Sequence, residues 1–290
     1  MSLKTGKILD TEVMSCYCKG CKKNEHLKKS DPDKFQRWKK LHQCKLNHVG
    51  SAGGMELTGA KRIFGRSVSK HKLCYTDFLG DGDSKAFTTI ENIYPGRTVI
   101  KLECVGHIQK RVGNRARKLK KNVKGLGGRG RLTNVMIDRL QNYFGLAVRG
   151  NVNNLEGMKK GISAVLFDVG SSANNNWHDH CPKRANSWCR YQKDKTTGEN
   201  TYKPGARLPI NVIKHLKPIF QDPSRDELLK KCLHGKTQNQ NEAFNALIWE
   251  QVPKYVYVSL SQLRLGTYDA VGYYNMGRKS SILIYEDLQM

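Results

Sequence analysis

The sequence predicts an α/β fold with a long, mainly helical insertion and a small Cys/His-rich insert. Three observations carry this. Strand-like and helix-like apolar runs alternate between residues 51 and 120. From 121 to 235 the apolar spacing is largely helical. Residues 16–50 are rich in Lys, Cys and His and poor in apolar side chains, so something other than a hydrophobic core must order them.

The elements follow in order. Residues 6–15 carry Ile8, Val13 and Met14 in imperfect alternation and predict a short strand. Met55, Ala60, Ile63, Phe64 and Val68 repeat at helical spacing and predict a helix over 55–70. A strand is expected over 73–80, a helix over 84–93 ended by Pro95-Gly96, and a second strand over 98–104. The basic run 109–124 predicts a helix that stops at the glycines of 125–130. Those glycines lack the Gly-Lys-Ser/Thr ending of a nucleotide loop. Helices are expected over 132–144 and 154–168, a polar loop over 171–207, and helices over 209–220 and 225–233. A helix carrying Glu242 is expected over 240–250, stopped by Pro253, and a last one over 259–271. This divides the chain into a strand (1–15), the Cys/His insert (16–50), a core (51–120), the helical insertion (121–235) and C-terminal core helices (236–275).

The 290 residues hold 51 Lys and Arg against 25 Asp and Glu, a net charge of +26. That imbalance points to a polyanionic partner, nucleic acid first. No apolar run approaches the roughly 18 residues that span a bilayer, which argues against a membrane. No apolar core follows the first charges, so no secretory leader is expected, and cytosolic synthesis with nuclear location fits. Stacking aromatics of the kind RNA recognition uses do not cluster.

Nine cysteines in a reducing compartment suggest metal ligands and packing residues rather than disulfides. Cys18-x-x-Cys21 with Cys44-x-x-x-His48 has the ligand types and spacings of a zinc knuckle, with Cys16 and His42 as alternates. Cys104-x-x-His107 together with His178-x-x-Cys181 and Cys189 offers five candidates for the four places of a second zinc site. The plainer account of Cys104 and His107 is a packed strand-end thiol beside a helix-start imidazole. Lys110, Arg111, Arg115, Arg117, Lys118, Lys120 and Lys121 form a dense basic face, expected to contact DNA phosphates without reading sequence.

Gly80-Asp81-Gly82-Asp83-Ser84 falls between a strand and a helix, where a carboxylate could hold a divalent metal. Alone, such a run is most simply a turn with helix-capping acids. Acid, Cys-x-x-His and a distant helical Glu242 in that order resemble the cut-and-paste DNA transposases. Several phrases sharpen the resemblance: Thr5-Gly6-Lys7-Ile8-Leu9-Asp10, Cys18-Lys19-Gly20-Cys21, Asn47-His48-Val49-Gly50-Ser51-Ala52-Gly53-Gly54-Met55-Glu56, Gly80-Asp81-Gly82-Asp83-Ser84-Lys85, Glu103-Cys104-Val105-Gly106-His107, Ser187-Trp188-Cys189 and Lys231-Cys232-Leu233-His234-Gly235-Lys236-Thr237. From about residue 5 to 275 the chain resembles the Mutator-like transposase domain common in arthropod genomes.

The resemblance implies an RNase H-like core of the DDE transposase superfamily, using three acids and two Mg²⁺ or Mn²⁺ ions. Asp81 matches the second acid, with Asp83 as its alternative, and Glu242 matches the third. The first acid of that family sits in an Asp-Gly-Thr-Trp phrase, which these residues do not contain; Asp10 matches a different position. The chain therefore resembles an N-terminally truncated domain with crippled or lost strand cleavage. The alternative is a non-enzymatic, zinc-containing nucleic-acid-binding protein, as a domesticated copy would be. DNA is the implied partner, and a homo-oligomer in a transposition complex is compatible with it.

Overall fold

A computed structural model describes residues 1–80, 85–171, 177–203 and 207–288. The protein is helix-rich, with one two-stranded sheet among the described residues. It divides into two units. The first comprises Met1–Phe78, Ser84–Ile100 and Asn239–Met290; the second comprises Leu79–Asp83 and Lys101–Gln238.

The sheet pairs β1 (Asp77–Gly80) with β2 (Ile100–Glu103). The Ile100 N–H donates to the Thr76 carbonyl at 2.8 Å and the Cys104 N–H to the Gly80 carbonyl at 3.4 Å. The offset between partners is the same at both ends, so the strands run parallel.

In the first unit, α1 (Lys19–Lys23), α2 (Leu27–Ser30) and α3 (Pro32–Leu41) bury no residue. The helix α4 (Ala52–His71) starts where the Ser51 hydroxyl accepts the Gly54 N–H. It buries Phe64 against Ile90 of α5 (Lys85–Ile90), Tyr94 and Val99. Ser67 takes the inward place expected of Val68, which is exposed, because its hydroxyl meets the Tyr94 hydroxyl at 2.7 Å. The C-terminal helices are α12 (Asn239–Gln251), α13 (Leu260–Met276), begun by a Ser259/Gln262 capping box, and α14 (Lys279–Asp287). Phe244 of α12 and Ala270 of α13 pack with Ile8.

The second unit is a helical bundle. Its members are α6 (Val105–Asn122), α7 (Asn134–Arg149), α8 (Leu155–Gly170), α9 (Arg190–Thr197), α10 (Ile210–Gln221) and α11 (Asp226–Lys230). Val105, Ile108, Val112 and Ala116 form one stripe along α6. They share a core with Ile137, Leu140 and Phe144 of α7, Met158, Ile162 and Val165 of α8, and Val212, Leu216 and Phe220 of α10. Two glycines let α6 and α7 approach: a Cβ on Gly113 would lie 1.8 Å from Gln141 Oε1, and one on Gly145 would lie 1.9 Å from Gln109 Oε1.

Three expectations are corrected. Residues 6–15 form no strand. Side chains satisfy their backbone instead. Asn275 accepts the Ile8 N–H at 2.8 Å and donates to the Ile8 carbonyl at 3.0 Å. Asn47 accepts the Ser15 N–H at 2.6 Å and donates to the Val13 carbonyl at 2.7 Å. The polar stretch 171–207 contains a helix, α9, and a 3-10 turn, His178–His180. A helix, α14, lies beyond the last one expected.

Arg66 completes the hold on the N-terminal segment. Its guanidinium donates to Asp10 at 2.7 and 3.0 Å, to the Thr11 carbonyl at 2.8 Å, and to Glu12. Lys70 adds 2.8 Å to Asp10, whose side chain is only 2% exposed. Burial alone would raise the Asp10 carboxyl, but the Arg66 and Lys70 hydrogen bonds and the Arg66 charge outweigh it, taking it from 3.8 to about 2. A carboxylate depressed on folding stabilises the fold above its unfolded value. That contribution is therefore complete above about pH 4 and is lost as pH falls toward about 2. Replacing Arg66→Ala is expected to cost about 2–3 kcal/mol at neutral pH, below the about 3–5 of a fully stranded buried charge, because Lys70 still meets Asp10. Urea melts should show that loss shrinking as pH falls through the same window.

Candidate metal centres

Two groups of soft and hard donors converge among the described residues, one in each unit. In each, one ligand atom per residue lies within 4.8 Å of all the others.

The first group is Cys18, Cys21, His42 and Cys44. Cys18 is the residue before α1 and Cys21 lies in its first turn, so Cys-x-x-Cys wraps a helix start. His42 follows the last residue of α3, and Cys44 comes two residues later. Cys18 Sγ lies 3.2 Å from His42 Nε2, and Cys21 Sγ lies 3.5 Å from Cys44 Sγ. Tetrahedral zinc, with Zn–S of about 2.3 Å and Zn–N of about 2.0 Å, sets such edges at about 3.5–3.8 Å. The imidazole is fixed from both sides. Trp38 stacks on it with centroids 4.4 Å apart, and a Cβ on Gly20 would meet its Cε1 at 2.6 Å. Burial would raise the Cys18 thiol, yet backbone hydrogen bonds from Cys21 and Lys45, with His42, hold it at about 6. Burial and the neighbouring Cys44 and Cys18 sulfurs push Cys21 up to about 11. One thiolate is thus already favoured in the group, as a metal ligand must be.

His48, expected as the fourth ligand, is not in the group. It is buried elsewhere, with no hydrogen-bond partner for Nε2. The sequence signals that favour His42 are local: Trp38 four residues earlier on a helix, and a glycine between the two leading cysteines.

The second group is Asp168, His178, Cys181 and Cys189. Asp168 lies in the last turn of α8, His178 opens the 3-10 turn, Cys181 ends it, and Cys189 precedes α9. His178 Nδ1 lies 3.1 Å from Asp168 Oδ1 and 3.4 Å from Cys189 Sγ, and Cys181 Sγ lies 3.9 Å from the same carboxylate oxygen. The other imidazole nitrogen meets the Tyr202 hydroxyl at 3.0 Å, and Tyr191 stacks on the ring at 4.7 Å. Such outer contacts orient a ligating histidine. Cys189 is held low, at about 7, by its hydrogen bond with Cys181, against burial and with help from His178. Cys181 is pushed up, first by Cys189 and then by burial. Burial would lower the His178 imidazole, but Asp168 and Cys189 lift it to about 9.

Of the five candidates for this site, His178, Cys181 and Cys189 come together, while Cys104 and His107 stand apart from the group. Cys104 precedes α6, buried, with its sulfur 3.3 Å from the Gln238 N–H. A search for Cys and His alone misses Asp168, which an α8 face delivers.

The remaining expected site residues are placed as follows. Asp81 and Asp83 lie outside the described residues. Glu242 is exposed in the first turn of α12. On the basic face of α6, Arg111 pairs with Glu103 at 3.1 Å, Arg115 with Asp222 and Arg117 with Asp138. Lys120 donates to Asn134 at 2.6 Å. Lys110, Lys118 and Lys121 are exposed. Much of this charge therefore braces the bundle.

Each unit of this strongly basic, helix-rich chain thus carries a tetrad of donor side chains that could hold a metal ion. The family model for the Mutator-like transposase matches residues 1–189, and the chain belongs to that family. All eight tetrad residues fall within the matched stretch; Glu242 lies beyond it. No curated protein and no solved structure matches. No described helix is long and apolar enough to cross a membrane.

Both donor sets could hold zinc. Metal analysis of protein purified with zinc is expected to find about two ions per chain, given two four-ligand sets. His42→Ala and Cys189→Ser should each remove one ion, whereas His48→Ala should remove none. Zinc loss on changing His48 instead of His42 would reverse the ligand assignment.

Proposed function

We propose that this chain is a transposase-derived, DNA-binding domain related to enzymes that cleave and rejoin DNA with divalent metals. The observation that carries this is the family match over residues 1–189. The charge of +26 supports a DNA partner. On this reading the chain is built on an RNase H-like core with the helical insertion at 121–235, and it works in the nucleus, as part of a homo-oligomeric complex.

Asp81, or Asp83 in its place, is the second acid of the site, and Glu242 is the third. Carboxylates are the hard oxygen donors that Mg²⁺ and Mn²⁺ take, so the residue types fit the ions the family uses. Such a metal pair supplies charge stabilisation to the attacking and leaving oxygens of an in-line displacement. The first acid's Asp-Gly-Thr-Trp phrase is not among these residues. A site with two of three acids binds metal poorly, and the 290-residue chain binds DNA without cutting it. The two tetrads favour a second reading alongside the first, a zinc-containing nucleic-acid-binding protein with no catalysis.

Incubation of the purified chain with supercoiled plasmid in Mg²⁺ or Mn²⁺ is expected to retard the plasmid in a gel and leave it unnicked. Nicking that disappears in Glu242→Gln would show an intact enzyme and overturn the loss of activity. Failure to bind the plasmid at all would overturn the DNA-binding reading.

A further inference from the structure

Residues 19–45 hold ten Lys and Arg against three Asp and Glu. All ten basic side chains are exposed. The segment's ion pair among the described residues joins Lys22 to Glu25 at 3.1 Å. The helices α1, α2 and α3 bury nothing, so apolar packing does not hold them. What converges instead is the Cys18, Cys21, His42 and Cys44 tetrad.

The geometry of α3 sorts its side chains. Phe35, Trp38 and His42 share one face: Phe35 and Trp38 lie 5.6 Å apart, and Trp38 stacks on the imidazole. Lys39 turns toward the same side, its Nζ 3.6 Å from Cys21 Sγ. Arg37 and Lys40 lie on the opposite face with Lys34 at its edge, all three exposed and spaced three residues apart. Like charges this close repel by several tenths of a kcal/mol per pair on a helix unless an anion meets them. On α6, by contrast, arginines of similar density are matched by Glu103, Asp138 and Asp222. The two basic segments differ: the arginines of α6 are paired with acids, whereas Lys34, Arg37 and Lys40 enter no ion pair among the described residues.

We propose that residues 16–45, held in shape by a zinc ion on Cys18, Cys21, His42 and Cys44, form the surface through which this chain grips the phosphates of duplex DNA, with Lys34, Arg37 and Lys40 at its centre. This rests on the DNA-binding reading above and assigns it to a place. The grip is electrostatic, since a row of exposed Lys and Arg side chains meets phosphate oxygens whatever the base sequence. The zinc acts as a structural staple whose removal releases three helices that have no core of their own.

The test uses the full 290-residue, zinc-loaded chain and a random-sequence DNA duplex, followed by fluorescence anisotropy across a salt series. The Lys34→Gln/Arg37→Gln/Lys40→Gln variant is expected to bind at least about tenfold more weakly and to lower the slope of log K against log salt by about 2–3. Its zinc content and far-ultraviolet circular dichroism should match the parent. Lys34→Arg/Lys40→Arg should bind as the parent does. Lys118→Gln/Lys121→Gln, on α6, should leave affinity and slope close to the parent's. Stripping zinc with a chelator should abolish tight binding.

A triple variant that binds normally, with the α6 variant impaired, would overturn the assignment and return the contact to α6. Retained affinity after complete zinc removal would overturn the metal-held part. Tighter binding of a duplex RNA of equal length would overturn DNA as the partner. Absence of duplex binding by the parent itself would sink the underlying DNA reading, a result distinguishable from all of these.

Discussion

Carboxylates are scarce in this protein, and their placement governs both units. With 25 acids for 51 bases, half the positive charge has no internal answer. The acids that are buried or half-buried are therefore shared. Asp10 serves Arg66 and Lys70, Glu103 serves Arg111 and Lys101, and Asp222 serves Arg115 and Arg225. Exposed pairs add little on their own. The pairs at Asp10 and Glu103 matter more, because those carboxylates are nearly sealed from water and cannot be left alone. Elsewhere the chain keeps its basic side chains in solvent and arranges for something other than charge balance to order the backbone.

That alternative takes two forms. Around residues 8–15, amides and a guanidinium substitute for a neighbouring strand. Around 16–48, sulfur and imidazole substitute for a hydrophobic core. Both put the ordering power in a few directional contacts, whereas the second unit's leucine- and phenylalanine-filled bundle rests on area removed from water.

The legible parts of the fold were those where one face of a helix repeats in sequence. Met55, Ala60, Ile63 and Phe64 announce α4, and Val212, Leu216 and Phe220 announce α10, while α6 is legible from its basic run rather than from its apolar stripe. The expected strand over 6–15 failed because its partners, Asn47 and Asn275, are side chains far along the chain and leave no periodic trace. The helix α9 buries only Gln192 and so shows no apolar stripe. Among the site residues, cysteine spacing pointed to both tetrads, but the final donors did not follow from it. His42 joins because α3 ends there and Trp38 braces the ring; Asp168 joins because α8 points its last turn at the 3-10 turn.

The crossing of α6 and α7 has a consequence of its own. Gln141 lies over the bare Cα of Gly113, and Gln109 lies over that of Gly145. Each helix thus lends an amide to a notch in the other, and the joint is keyed twice. Sliding either rod along its axis by one position would drive a methyl-sized group into an amide oxygen. The seam is accordingly fitted at two points by amide side chains, so its register rests on side-chain shape as well as on apolar burial.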